Sequence, residues 1–285
     1  MNIVDRDWGL PGRLIRQRLG IAESTPARDI LPTLWTRPVP DSRHIPLEGP
    51  PSGPMAPLAE IATGSKGRPF LKWWHYFDAY EQQLGDLARR SREGLLDRPV
   101  RLLEMGIWRG GFLDVWREYF GPDAIIYGID IDSAVATLGV TSAEVRVGSQ
   151  DDAGCLGAVV DEMGGLDVVI DDGSHISEHV LASLRILYPK LSDGGIYCIE
   201  DLHTSYWPEW GGGLRRRGSS IEVLKQLIDG LNQPYFDQPA QANDLGIDHG
   251  NLASITFADS MAFLRKRLTS APRPFHGGIE TPFNQ

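Results

Sequence analysis

Cysteine is nearly absent. Cys155 and Cys198 are the two in 285 residues, too few for a disulfide framework or a cysteine-rich zinc site. Long apolar runs are missing too, and no stretch reaches the length of a bilayer span. The opening residues 1–21 are broken by Asp5, Arg6, Asp7, Arg13, Arg16 and Arg18, so they lack the apolar core of a signal peptide. A cytoplasmic protein with no membrane partner is the expectation. Basic charge is in deficit, 28 Lys and Arg against 38 Asp and Glu for a net charge of −10. That argues against a nucleic-acid binder, which carries a basic face. The apolar share of 41% is nonetheless that of a globular chain and excludes wholesale disorder.

Nine of the 20 prolines fall within residues 26–57, a density that forbids long helices and central strands and marks an extended connector. Ahead of it, residues 10–21 place Leu10, Leu14, Ile15, Arg18 and Leu19 at helical spacing. A short helix there has little core of its own, so residues 10–19 are expected to pack on a second subunit in a homo-oligomer, a dimer or tetramer. After the connector, the aromatic-rich segment FLKWWHYFDAY (residues 70–80) leads into a helix reaching about Arg92.

From Pro99 the pattern changes. Apolar runs at residues 100–105, 124–131, 143–147, 166–170 and 195–199 alternate with helical patterns at 112–120, 151–163 and 177–191. Near-continuous apolar strands between helices indicate a parallel sheet covered on both faces. Two further runs, 254–258 and 262–264, are separated by too few residues for a helix and should form an antiparallel hairpin at the sheet edge. The expected division is an N-terminal segment 1–98, a Rossmann-like α/β core 99–268 and an irregular arm 269–285.

Ligands of open parallel sheets bind beyond the carboxyl ends of the strands. The first strand ends in Glu104-Met-Gly106, followed by Trp108 and Gly110-Gly111 just before a helix. Glycines there admit a ligand close to the backbone, or simply permit tight strand–helix packing. Asp130 lies 19 residues after Gly111, where an acid grips a ribose diol. Asp132 reads as the N-cap of the next turn of chain, and Gln150 or Asp151, after the third strand, suit adenine recognition. The fourth and fifth strands end in Asp171-Asp172-Gly-Ser-His175 and Glu200-Asp201-Leu-His203. Neighbouring strands lie about 4.8 Å apart, so these carboxylates repel unless a cation joins them. Oxygen-only ligands suit a hard ion, magnesium first, with manganese or calcium as alternatives. The plainer alternative is that some of the acids cap helices and one pairs with an arginine. His175, beside this cluster, is a candidate general base, and His179 and His203 are weaker ones. Arg215–Arg217, after the glycines 211–213, read as a solvated charge run, the alternative being that they close over the site or meet an anionic acceptor.

The runs LLEMGIWRGG, IYGIDI, VVIDDGSH and CIEDLHTSYWP, the last followed by GGG, resemble the class I S-adenosylmethionine-dependent methyltransferases. Among these they are most similar to the metal-dependent sugar O-methyltransferases of the macrocin and mycinamicin type. The resemblance covers residues 62–267. It implies a mostly parallel seven-stranded sheet with an antiparallel last strand. It implies S-adenosylmethionine and Mg2+ as cofactors, and a sugar-bearing small molecule as the acceptor. By resemblance Asp172, Glu200 and Asp201 hold the metal and His175 is catalytic. Residues 63–67, with His75 and Tyr76, look like the segment that covers the cofactor. The cofactor-binding set is then Lys66, Tyr76, Glu104, Gly106, Asp130, Gln150, Asp151 and Asp171. The chain departs from the family's pattern at Ser65, where an aspartate is usual, and at GSQDD (residues 148–152), where Gly-Asp-Gln is more familiar. Two other readings stand beside this one: a catechol-type O-methyltransferase, and a non-catalytic component resembling cephalosporin hydroxylase proteins. A nicotinamide dehydrogenase is disfavoured by the glycine spacing.

Overall fold

Each apolar run after Pro99 forms a strand of one sheet: β1 Arg101–Met105, β2 Ile125–Asp130, β3 Glu144–Val147, β4 Leu166–Asp171 and β5 Leu191–Ile199, closed by β6 Leu252–Ala258 and β7 Met261–Lys266. The structure is a computed structural model that describes residues 54–237 and 245–268, with Pro272, Pro274, Phe275 and Gly277. The helix expected at residues 10–21, most of the proline-rich connector and most of the arm from residue 269 lie outside the described residues. The strand order is β3-β2-β1-β4-β5-β7-β6. The first five strands pair in parallel, and β7 runs antiparallel to both β5 and β6. This is the seven-stranded, mostly parallel Rossmann-like sheet expected.

Side chains alternate between the faces along each strand, and each face buries its own core. One core joins Leu102, Val168 and Ile196 to helices α1 Pro57–Gly64, α2 Trp74–Arg92 and α3 Gly111–Phe120 through Leu58, Tyr80, Leu84 and Trp116. The other joins Leu103, Val169 and Tyr197 to α4 Ala153–Met163, α5 Ser177–Leu187 and α6 Ser220–Asn232 through Leu156, Leu184 and Leu224. Helix α5 stops short of the expected residue 191 because Pro189 enters a 3-10 turn, and Leu191 already belongs to β5. Asp132 caps a 3-10 turn by accepting from Ala134 N, and Asp152 caps α4 the same way through Gly154 N and Cys155 N. At the opposite end of the sheet, buried Asp167 is held by Arg98 and Arg101. No helix among the described residues is long and apolar enough to cross a membrane.

The registers fix what meets at the carboxyl edge. Met105 lies opposite Ile129 on one side and Asp171 on the other, and Asp171 lies opposite Ile199. Residues 106, 130, 172 and 200, each just at or past a strand end, therefore share one rim.

Candidate active site

The rim is built around the turn after β1. Gly106 has φ +86, and a Cβ on it would stand 2.0 Å from the Asp172 carbonyl oxygen and 2.7 Å from Gly173 Cα. Its missing side chain is what lets the loops after β1 and β4 cross. Asp130 braces the same turn. One of its carboxylate oxygens accepts from Trp108 N and the other from Asp132 N, both at 2.9 Å. Trp108 itself has φ +48. Glu104, at the end of β1, is 2% exposed, with Lys72 Nζ 3.6 Å from its Oε1. Burial pushes its carboxyl up to about 7, against the attraction of Lys72.

The acids gather beside this turn. Among the described residues, Asp172, His175 and Asp201 each offer a ligand atom within 4.8 Å of the other two. His175 Nε2 lies 3.8 Å from Asp172 Oδ1 and 3.6 Å from Asp201 Oδ2, and its ring packs 6.1 Å from that of Trp210. His175 and Asp201 both take left-handed backbone, φ +56 and +54. Such strain in non-glycine residues persists where the surrounding structure imposes it and gathers at functional sites.

Hydrogen bonds to the acids arrive from one side. Asp172 Oδ2 accepts from Lys72 Nζ at 2.6 Å, and Asp201 Oδ1 accepts from the Tyr76 hydroxyl at 2.5 Å. Glu200 Oε1 accepts from Lys72 Nζ at 2.5 Å and also from the Tyr80 hydroxyl. The opposite oxygens of Asp172 and Asp201 are the ones turned to His175. Burial and the neighbouring Glu200 hold the Asp172 carboxyl well above its usual range. Burial acts on Asp201 in the same sense, but the attraction of His175 and the Tyr76 hydrogen bond outweigh it and hold this carboxyl low.

The remaining sequence-predicted residues fall into place unevenly. Gln150, 7% exposed, spends its amide inside the protein: Nε2 donates to Asp171 Oδ1 at 3.0 Å and Oε1 accepts from Ser174 N at 2.5 Å. Asp171 Oδ2 accepts from Ser183 at 2.6 Å and from Tyr197 at 2.8 Å. These two residues brace the loop that carries Asp172 and His175. Asp151 is exposed, 3.8 Å from His179 Nε2, while His179 Nδ1 meets Ser174 Oγ at 2.9 Å. Lys66 is exposed. Tyr76, expected over the cofactor, reaches the Asp201 side of the rim. His203 is bonded to Ser260 and flanked by Trp73 and Trp207, and burial lowers its pKa. Lys72 and Tyr80 were not anticipated. Their signal was faint, a lysine and a tyrosine inside an aromatic-rich segment.

The donor set suits a hard divalent cation. Asp172 and Asp201 supply oxygens, each oriented by a hydrogen bond on its other oxygen, the arrangement that fixes ligands around a metal. Glu200, the third acid expected there, lies outside the group of three and gives its Oε1 to Lys72 and Tyr80. S-Adenosylmethionine fits the β1 side. Glu104, a buried acid at the end of β1, and Asp130, at the end of β2, lie where an open parallel sheet of this type meets its ligand.

No family model matches the chain. Among curated proteins it is similar to 8-demethyl-8-alpha-L-rhamnosyl tetracenomycin-C 2'-O-methyltransferase of Streptomyces olivaceus, 32% identical over 275 residues, covering 88% of this chain and 68% of that one. Demethylmacrocin O-methyltransferase of Streptomyces fradiae is 36% identical over 192 residues, 63% of this chain and 46% of the relative. Mycinamicin VI 2''-O-methyltransferase of Micromonospora griseorubida is 35% identical over 224 residues, covering 74% and 51%. Among solved structures, the MycE methyltransferase of the mycinamycin pathway, in complex with Mg, S-adenosylhomocysteine and mycinamycin VI, superposes with a TM-score of 0.60. It is 30% identical, covering 77% of this chain and 55% of that one. The chain thus spans two thirds of the first relative's length and about half of the others'. It belongs to the class I, metal- and S-adenosylmethionine-dependent sugar O-methyltransferases of the macrocin and mycinamicin type.

Proposed function

We propose that this protein transfers the methyl group of S-adenosylmethionine to a hydroxyl of a sugar carried by a small-molecule natural product. The observation that carries the proposal is the meeting of Asp172, Asp201 and His175 within 4.8 Å, beside the turn after β1. Asp172 and Asp201 face His175 with Oδ1 and Oδ2, and Glu200, at the end of β5, would join them as the third acid of the metal site. Magnesium held by Asp172 and Asp201 would supply Lewis acidity toward an acceptor hydroxyl. S-Adenosylmethionine supplies the electrophilic methyl group.

His175 Nε2 points at the acids' inner oxygens, so it stands where an acceptor hydroxyl seated against them gives up its proton. The two flanking carboxylates, 3.8 and 3.6 Å away, stabilise the imidazolium that forms. Asp130 holds the turn after β1 and offers its carboxylate to the ribose, and Glu104 receives the cofactor's ammonium. Methyl transfer needs near-linear alignment of oxygen, carbon and sulfur, so the fixed crossing of the loops at Gly106 bears directly on rate. A vicinal diol suits this geometry, because one oxygen can anchor while its neighbour reacts.

A labelled-methyl assay on a panel of glycosylated macrolides and aromatic polyketides tests the reading. Chelator should abolish transfer and magnesium restore it. His175→Ala should still bind metal and cofactor yet turn over about 10²–10⁴-fold more slowly, the usual contribution of a general base. Activity untouched by chelator, or His175→Ala turning over at the normal rate, would sink it.

A further inference from the structure

The side chain of Lys72 is 3% exposed, and its Nζ lies 2.6 Å from Asp172 Oδ2, 2.5 Å from Glu200 Oε1 and 3.6 Å from Glu104 Oε1. The Phe112 ring closes another side, with its centroid 4.9 Å from Nζ. Burying an ammonium is costly unless it is paired. This one is paired with carboxylates from β1, from the loop after β4 and from the end of β5. Its route into the site is built as well. Residues 68 and 69 cross α3 where Gly111 lacks a side chain, since a Cβ there would stand 2.3 Å from the Arg68 carbonyl oxygen. Four carboxylates, those of Glu104, Asp172, Glu200 and Asp201, meet at this rim, and Lys72 is bonded to two of the three acids assigned to the metal.

We infer that Lys72 is a positioning residue, a tethered cation that stands in for part of the metal's charge and keeps Asp172 and Glu200 in place when the metal is absent. The inference rests on the metal reading given above. Two cations that draw on the same carboxylates weaken one another, because each gains most when the other is missing. Metal-free protein with Lys72 therefore keeps an ordered rim. Without Lys72, the acids depend on the metal for any positive partner. A lysine serving only to fill space would affect stability equally with and without metal.

The test uses the full chain and needs no acceptor. Thermal midpoints of wild type, Lys72→Met, Lys72→Arg and the double variant Lys72→Met/Glu104→Gln are measured in chelator and in magnesium. Mn2+ binding is followed by electron paramagnetic resonance. Lys72→Met should gain at least about 5 °C more from magnesium than wild type does, and should bind Mn2+ more tightly. Lys72→Arg, which keeps the charge, should follow wild type. If Lys72→Met does not fold in chelator, the double variant, with one fewer carboxylate left unpaired, carries the same comparison. Equal magnesium gains in wild type and variant overturn the inference, as does failure of both methionine variants to fold even with magnesium. Wild-type protein that binds no Mn2+ overturns the metal reading itself, and this inference with it.

Discussion

Gly106→Ala adds one methyl group where the turn after β1 crosses the backbone of residues 172 and 173. The new Cβ would meet the Asp172 carbonyl oxygen at 2.0 Å, its carbon at 2.6 Å and Gly173 Cα at 2.7 Å. All three are backbone atoms, so no rotamer change clears the space. The φ of +86 adds a conformational cost of about 1–2 kcal/mol for a residue with a side chain, and forcing the loops apart adds about 1–3 kcal/mol. The sum is a loss of about 2–5 kcal/mol, read from equilibrium urea unfolding. Gly94→Ala is the control. Gly94 also has positive φ, +66, but nothing lies within 4 Å of its would-be Cβ, so it should lose the conformational part alone. Because the displaced backbone carries Asp172, Gly106→Ala should also bind metal more weakly, which Gly94→Ala should not. Equal urea midpoints for the two variants, or wild-type metal affinity in Gly106→Ala, would refute the reasoning.

Further outcomes rest on the charges. Burial would raise the Asp167 carboxyl, but the guanidiniums of Arg98 and Arg101 outweigh it and hold it well below the usual range. Its stabilisation is therefore present above the ordinary carboxylate pKa and lost as pH falls through the folded value. Asp167→Asn should lose about 2–4 kcal/mol, toward the lower end for a broken buried pair because Arg98 is half exposed, and its stability should respond less to acid in pH-dependent denaturation. Glu104 shows the opposite sign: raised from 4.5 to about 7, it keeps in the folded state a proton that the unfolded chain releases. Metal-free protein should therefore lose stability as pH climbs from about 4.5 to about 7, and thermal midpoints of Glu104→Gln should lack that slope. Asp130→Ala should weaken S-adenosylmethionine binding by roughly 1–3 kcal/mol in calorimetry, and undiminished affinity would remove Asp130 from the cofactor site.

The sheet was legible because most of its strands carry short apolar runs between helical patterns, and Val168–Ile170 in β4 needed no tertiary information to be found. The clustering of Asp172, Glu200, Asp201 and His175 was legible for a related reason: strand ends of a parallel sheet must share an edge. What escaped was set by partners far along the chain. Lys72 meets acids 100 and 128 residues away, so its aromatic-rich neighbourhood gives no sign that an ammonium there is buried. Gln150 and Asp171 read as cofactor contacts in the sequence, which gives no sign that Gln150 Nε2 also donates to Asp171 Oδ1 across 21 residues. Helix α6 carries Ile221, Leu224 and Leu227 at helical spacing, all buried, but it sits between β5 and the final hairpin, behind the glycines 211–213 and Arg215–Arg217, which read as loop.

The placement of β7 bears on how this chain must be made. Strand β5 lies near the middle of the sheet, yet one of its edges is covered by residues 262–265 alone, which leave the ribosome more than 60 residues after it. Until then the apolar half of β5, Ile196–Ile199, stands with a row of unpaired backbone groups open to any other strand. Lys266 ends the wait by donating to the carbonyls of Pro189 at 2.7 Å and Leu191 at 2.8 Å, latching the last strand to the start of β5. A stall within β6 would therefore leave β5 with one edge unpaired, a seed for aggregation.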